Sequence, residues 1–167
     1  MSSRMMLKGF TAEYQNPSKE ILLMIDKNNG DIKILTNTTI NKSFTEQELQ
    51  SDDIINMLQR TYTINDWNHY TFKLININGL DLMLKLTYKD SVLEMCSLKH
   101  SGSFEEIPFS TDNEIKRLQI HNQWLENMLG KPNESGEWGI KYNLKWGEIS
   151  SVYNPQTPES GIYIKWI

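Results

Sequence analysis

The sequence is short of almost everything that announces an activity. It has one cysteine, Cys96, in 167 residues, which excludes an intramolecular disulfide framework and a multi-cysteine zinc site. Its three histidines, His69, His100 and His121, stand in different segments. No His-x-x-x-His, His-Glu-x-x-His or Cys-x-x-Cys spacing occurs, so a metal centre has no local support. A Gly-x-Ser-x-Gly elbow, a phosphate-binding glycine loop and a dinucleotide fingerprint are missing too. The longest aliphatic run, Ile21 to Ile25, is far below the roughly 20 residues that span a bilayer. Met1 to Lys8 holds no apolar stretch of signal-peptide length. Positive charge is also lacking: the formal total of −4 gives no electrostatic case for nucleic acid. The expectation is a cytoplasmic protein with no cofactor, no metal, no membrane and no nucleic-acid partner. Alanine occurs once, at Ala12, and three arginines stand against fourteen lysines. AT-rich codons favour that bias, which points to a low-GC bacterium or its phage.

What is present is core material. Hydrophobic residues make up 38% and charged residues 23%, with five Trp, seven Tyr and five Phe. A chain of this length buries about 70% of its unfolded surface. No repeat, low-complexity tract or linker interrupts it, so residues 1–167 read as a single α+β domain.

The elements follow from periodicity and punctuation. Ile21 to Asp26, the Asn28-Asn29-Gly30 turn and Ile32 to Leu35 predict a hairpin. The same turn begins like a calcium loop, but Asp31 takes the place of the obligatory glycine and Asn37 that of the bidentate glutamate. Thr45-Glu-Gln-Glu48 is a capping box flanked by Phe44 and Leu49, predicting a helix near 45–60 with Ile54, Ile55, Leu58 and Tyr62 on one face. Leu49 falls off that face, which leaves room for a restart at Ser51 with Asp52 and Asp53 in the first turn, as charges complementing the helix dipole. From Tyr70 to Leu98 the period is two, with a turn at Asn78-Gly79 and another at Lys89-Asp90-Ser91: an antiparallel meander. Thr111-Asp-Asn-Glu114 and Gly130 bracket a second helix over 111–129, with Ile115, Leu118, Leu125 and Leu129 as its apolar stripe. Trp138, Ile140, Tyr142, Leu144 and Trp146 alternate with polar residues and predict one buried strand face. A hairpin through the Asn154-Pro155 turn ends the chain. The fold expected is α+β, a mainly antiparallel twisted sheet (meander plus hairpins) with two principal helices.

Chemistry-bearing residues are dispersed. Cys96 and His100 would lie about 13 Å apart on a continuous strand, beyond thiolate–imidazole reach. Cys96 shares a face with Val92 and Leu98 and reads as a small buried hydrophobe. His121 flanks the helical stripe as a half-buried structural histidine. Glu105 and Glu106 read as a solvated acidic edge in a 101–108 loop. Lys141, Tyr142, Lys145, Trp146, Tyr163, Lys165 and Trp166 interleave base and ring like a single-strand stacking platform. Within the 138–146 strand, however, alternation puts lysines and tryptophans on opposite faces.

The string Gln123-Trp-Leu125, Leu129-Gly-Lys-Pro132, Trp146-Gly-Glu-Ile149, Tyr153-Asn-Pro155 and Ile162-Tyr-Ile164 resembles the C-terminal region of small uncharacterised bacterial proteins, some of them immunity-protein-like. Asn154 stands where the pattern has Asp. The resemblance implies no catalytic residue. It implies a non-catalytic protein-binding role, most concretely an immunity protein occluding a bacterial toxin, whose basic surface an acidic inhibitor would complement. The other class open to the sequence is a small hydrolase-like enzyme with a dispersed site built on Glu or His. For a protein partner, toxin or self, the candidate surface is on the second helix. Ile120 and Trp124 fall off its apolar stripe and sit four apart, in contact, and Arg117 and Asn127 flank them as an aromatic anchor would be flanked. The alternative for Ile120 and Trp124 is burial beneath the N-terminal segment or the 101–108 loop.

Overall fold

Asn, Asp and Gly at left-handed backbone positions set the strand order before any packing is considered. Asn65-Asp66, Asn78-Gly79 and Asp90-Ser91 all have positive φ, the pairing that two-residue hairpin turns need to match the twist of their strands. The structure, a computed structural model, describes residues 20–35, 37–101 and 110–167. The three turns join β4 (Leu58–Ile64), β5 (Trp67–Ile77), β6 (Leu80–Lys89) and β7 (Val92–His100). A second set of hairpins holds β8 (Glu134–Gly136), β9 (Gly139–Leu144), β10 (Gly147–Asn154) and β11 (Glu159–Trp166). They combine into one eight-stranded antiparallel sheet of order β4-β5-β6-β7-β11-β10-β9-β8. A three-stranded antiparallel sheet precedes them, β1 (Leu23–Ile25), β2 (Ile32–Ile34) and β3 (Thr38–Ile40). Among the described residues the chain is mostly antiparallel sheet with two α-helices, α1 (Glu46–Ser51) and α2 (Thr111–Leu129).

One face of the large sheet is covered. Cross-strand neighbours Phe72, Leu84, Leu98, Ile162, Ser151 and Ile140 form a single row on it, and all six are buried. The small sheet contributes Leu23, Ile25, Ile32, Ile34 and Ile40 to the same core, and α2 contributes Trp124, Leu125 and Leu129. The small sheet is fastened by two indoles. Trp146 Nε1 donates to Lys27 O and Trp166 Nε1 to Gly30 O, both at 2.9 Å. Gly30 has φ +80°, and a Cβ there would lie 2.5 Å from the Trp146 ring, so only glycine lets the turn rest on it. Of the basic–aromatic interleaving, Trp146 and Trp166 thus clamp one sheet to the other.

Several sequence expectations are corrected. The capping box of Thr45 and Glu48 forms, with Phe44 and Leu49 buried beside it, but the first helix stops at Ser51. Asp52 accepts a hydrogen bond from Ile54 N and opens a 3-10 turn, Asp53–Met57. Leu58 and Tyr62 then lie on β4, because the Asn65-Asp66 turn claims that segment for a hairpin. In β7 a register shift opposite Thr87 and Tyr88 leaves Glu94 as one extra residue, so Leu93 is buried whereas Val92 is exposed, and Cys96 shares its face with Leu93. The N-cap of α2 is Ser110, accepting from Asn113 N, which releases Glu114 from a capping box. Ile140 and Tyr142 are buried and Leu144 and Trp146 half-buried. Trp138 precedes β9, is 46% exposed and packs on Tyr153.

Candidate functional site

The helix patch does not exist as a surface. Arg117 and Trp124 are 7% and 6% exposed, Ile120 is half-buried, and Asn127 is exposed and accepts from Gln123 Nε2 at 2.8 Å. The apolar stripe alone misplaced the buried face of α2. Glu114, Arg117 and His121 lie on it as well, a polar line set at helical spacing.

That line meets the sheet where its two hairpin sets join. β7 and β11 pair over three residues, Cys96 to Leu98 with Ile162 to Ile164. Beyond them His100 N donates to His121 Nε2 at 2.8 Å, and Ser160 N donates to Glu114 Oε2 at 3.3 Å. Ser160 Oγ donates to Glu114 O at 2.6 Å, and Arg117 Nη1 donates to both carboxylate oxygens of Glu114. Lys99 Nζ closes the group, 3.6 Å from Glu114 and 3.6 Å from Glu159. Side chains of the helix thereby supply backbone partners that the diverging strands no longer give each other. His121 is fully buried, more deeply than the half-buried position expected. Burial first, then Arg117, His100 and Lys99, hold its pKa down to about 3, so it is a neutral acceptor. Burial pushes the Cys96 thiol up to about 12, which keeps it un-ionised and unreactive.

The opposite face of the sheet carries the polar side chains that converge on open space. Register places Arg60, Thr71, Lys85, Ser97, Tyr163, Ser150 and Lys141 in one row of directly opposed neighbours across seven strands. Every one carries a hydrogen-bond donor. A depression of about 400 Å³ opens along the row, lined by Thr71, Lys85, Ser97 and Tyr163 with Met83 and Met95. Gly161 makes room for it: a Cβ there would come 2.9 Å from Tyr163 Oη. Burial, then Glu159 and Glu114, raise the Tyr163 pKa, so the phenol stays protonated as a donor.

Beside the depression the rings are already stacked. Tyr62 lies on His69 with centroids 4.6 Å apart and planes 15° from parallel. Arg60 sits 4.9 Å and Lys85 5.4 Å from the Tyr62 centroid, and Lys89 5.2 Å from that of Trp67. Burial and then the Lys85 charge lower the His69 pKa, and its Nδ1 lies 3.0 Å from Thr87 Oγ1. Arg60, Lys73, Lys85 and Lys89 share this face of β4 to β6. Asp81, the acidic residue at its margin, is turned back to accept from Asn76 N at 2.9 Å. Among the described residues no carboxylate pairs with Arg60 or Lys85.

The period of two over Tyr70 to Leu98 implies a polar face here but not the row, because a row exists only once register is known. Among the described residues no three His, Cys, Asp or Glu side chains converge as metal ligands, and no helix is long and apolar enough to cross a membrane. Glu105, Glu106 and the segments thought to cover Trp124 lie outside the described residues, Ser101 excepted. Family models, curated proteins and solved structures all yield no match to this chain.

Proposed function

We propose that the chain is a non-catalytic cytoplasmic binding protein that captures an acidic surface of a protein partner on the open face of its sheet, a twisted antiparallel meander. One observation carries the reading: Arg60, Lys85 and Lys89 make a cationic island, held against aromatic rings, on a chain of net charge −4. Arg and Tyr are the side chains enriched at binding hot spots, and unpaired cations speed and orient association with an acidic surface. The resemblance of the C-terminal region supplies the kind of partner, a toxin for which this chain is the immunity protein. The surface proposed is the open sheet face, in place of the helix patch, and its cations call for an acidic partner surface in place of the basic one that the net charge of the chain suggested.

The test is co-expression with the product of the gene beside its own, scored by growth and by co-purification. Arg60→Glu is expected to abolish both protection and co-purification while the purified variant melts like the parent. A neighbouring product that is harmless and does not co-purify overturns the toxin reading. The hydrolase-like alternative rests on the His69–Thr87 contact, a base beside a hydroxyl. His69 and Thr87 both line the depression, but Thr87 is only 3% exposed, which leaves its hydroxyl little surface for a substrate to meet. Ester hydrolysis that disappears on His69→Ala would revive that alternative.

A further inference from the structure

We infer that the donor row Arg60–Thr71–Lys85–Ser97–Tyr163 is a binding site for an extended acidic peptide segment, whose carboxylates enter the depression at Lys85 and Tyr163. The inference rests on the protein-binding reading and specifies the chemistry of the partner. Adjacent strands are about 4.8 Å apart, so five opposed side chains extend about 19 Å across the sheet. A peptide in extended conformation places same-side side chains about 7 Å apart, and several of its carboxylates can meet the row at once. The donors are available. Lys85 contacts the Tyr62 ring, while Thr71, Ser97 and Tyr163 make no side-chain hydrogen bond among the described residues. Lys99, at the end of the depression, is by contrast already paired with Glu114 and Glu159. Lys85 is therefore the cation within the depression left to receive an anion. Met83 and Met95 line it too, and their adaptable thioethers suit the methylenes of a Glu side chain.

The same face rejects the other polyanion it suggests. Base recognition on a sheet needs ring faces open for stacking. Tyr62 is covered by His69 and approached by Arg60 and Lys85, and Trp67 lies under Lys89. Donors without free stacking platforms favour carboxylates over nucleobases.

Fluorescence anisotropy of the full chain can test this with three labelled probes of equal length: a Glu–Gly repeat peptide, a Gln–Gly repeat peptide and single-stranded oligo-dT. The Glu–Gly probe is expected to bind and to weaken about tenfold when salt rises from about 50 to about 300 mM, with the Gln–Gly probe silent. Lys85→Met should weaken it about tenfold and Tyr163→Phe about threefold. Lys145→Met, an exposed lysine off the row, should leave it unchanged. Matching thermal melts certify that the variants are folded. Binding of oligo-dT as tight as that of the Glu–Gly probe overturns the inference, as does indifference to Lys85→Met or the failure of every probe to bind. If the Glu–Gly probe fails while the neighbouring gene product still co-purifies, this inference falls and the protein-binding reading stands. If the probe binds as expected and no toxin co-purifies, the site stands and the toxin reading falls.

Discussion

The two faces of the eight-stranded sheet are read from the same alternation of residues, yet their polar groups are used in opposite ways. On the covered face Glu114, Arg117, His121 and Ser160 are bound to one another and to strand backbone at the joint between hairpin sets. On the open face Lys85, Ser97 and Tyr163 line a depression and Arg60 lies beside it on the Tyr62 ring, none of them paired with a carboxylate among the described residues. Polarity on one face completes the fold; on the other it remains for a ligand. A buried polar group loses its water and must find a partner inside the protein, whereas an exposed lysine on a pleat loses little by waiting. The difference teaches that polarity alone does not mark a site; the lack of an internal partner does.

The comparison breaks if covered-face substitutions spare stability or open-face ones damage it. Trp124→Ala should have the largest effect, about 3–5 kcal/mol lost in urea unfolding, since it empties a large core position. Loss of association without loss of stability would instead make Trp124 a surface anchor. Arg117→Ala should destabilise by about 3 kcal/mol, because it leaves the Glu114 carboxylate buried without its guanidinium. Its partial rescue by a second change, Glu114→Gln, would separate stranded charge from lost packing.

The pH dependence is smaller and has a definite sign. His121 has a folded pKa of about 3 against an ordinary 6.5. Between those values the unfolded chain binds a proton that the folded chain refuses, so stability falls as pH drops below 6.5. The slope between about pH 6 and pH 5 should be roughly 1 kcal/mol per unit. His121→Asn should flatten it, and an unaltered slope would mean that another group controls the titration. Smallest of all, Lys85→Met should shift stability by less than about 0.5 kcal/mol. A larger loss in its melt would make Lys85 part of the scaffold.

Much of the fold was legible because local rules agreed with it. Thr45 and Glu48 cap as their spacing indicated, α2 runs to Leu129 before Gly130, and Asn78-Gly79 turns the central hairpin. Failures occurred where one signal had to outvote another. Leu58 and Tyr62 fit a helical period, but Asn65-Asp66 forms a hairpin turn without glycine, since Asn and Asp tolerate left-handed φ. Val92 fits the alternation of its strand until the bulge near Glu94 reverses it. Arg117 and His121 looked like a flank because polar residues were counted as outward. The donor row was not legible at all: Arg60 and Tyr163 become neighbours of one line only through four pairings between strands.

The short joint between β7 and β11 also bears on how the chain reaches this state. Within each hairpin set, the partners are connected by brief turns and can meet after little loss of chain entropy. Leu98 and Ile162, by contrast, meet across the full length of chain that holds α2, and closing that long loop is the slow part of assembly. The joint should therefore form late in folding and open early in unfolding. Native-state hydrogen exchange would register this as weaker protection for amides at the joint than for those in the middle of β5 and β6. Equal protection throughout would mean that the two hairpin sets fold as one cooperative unit, with α2 already in place when the strands meet.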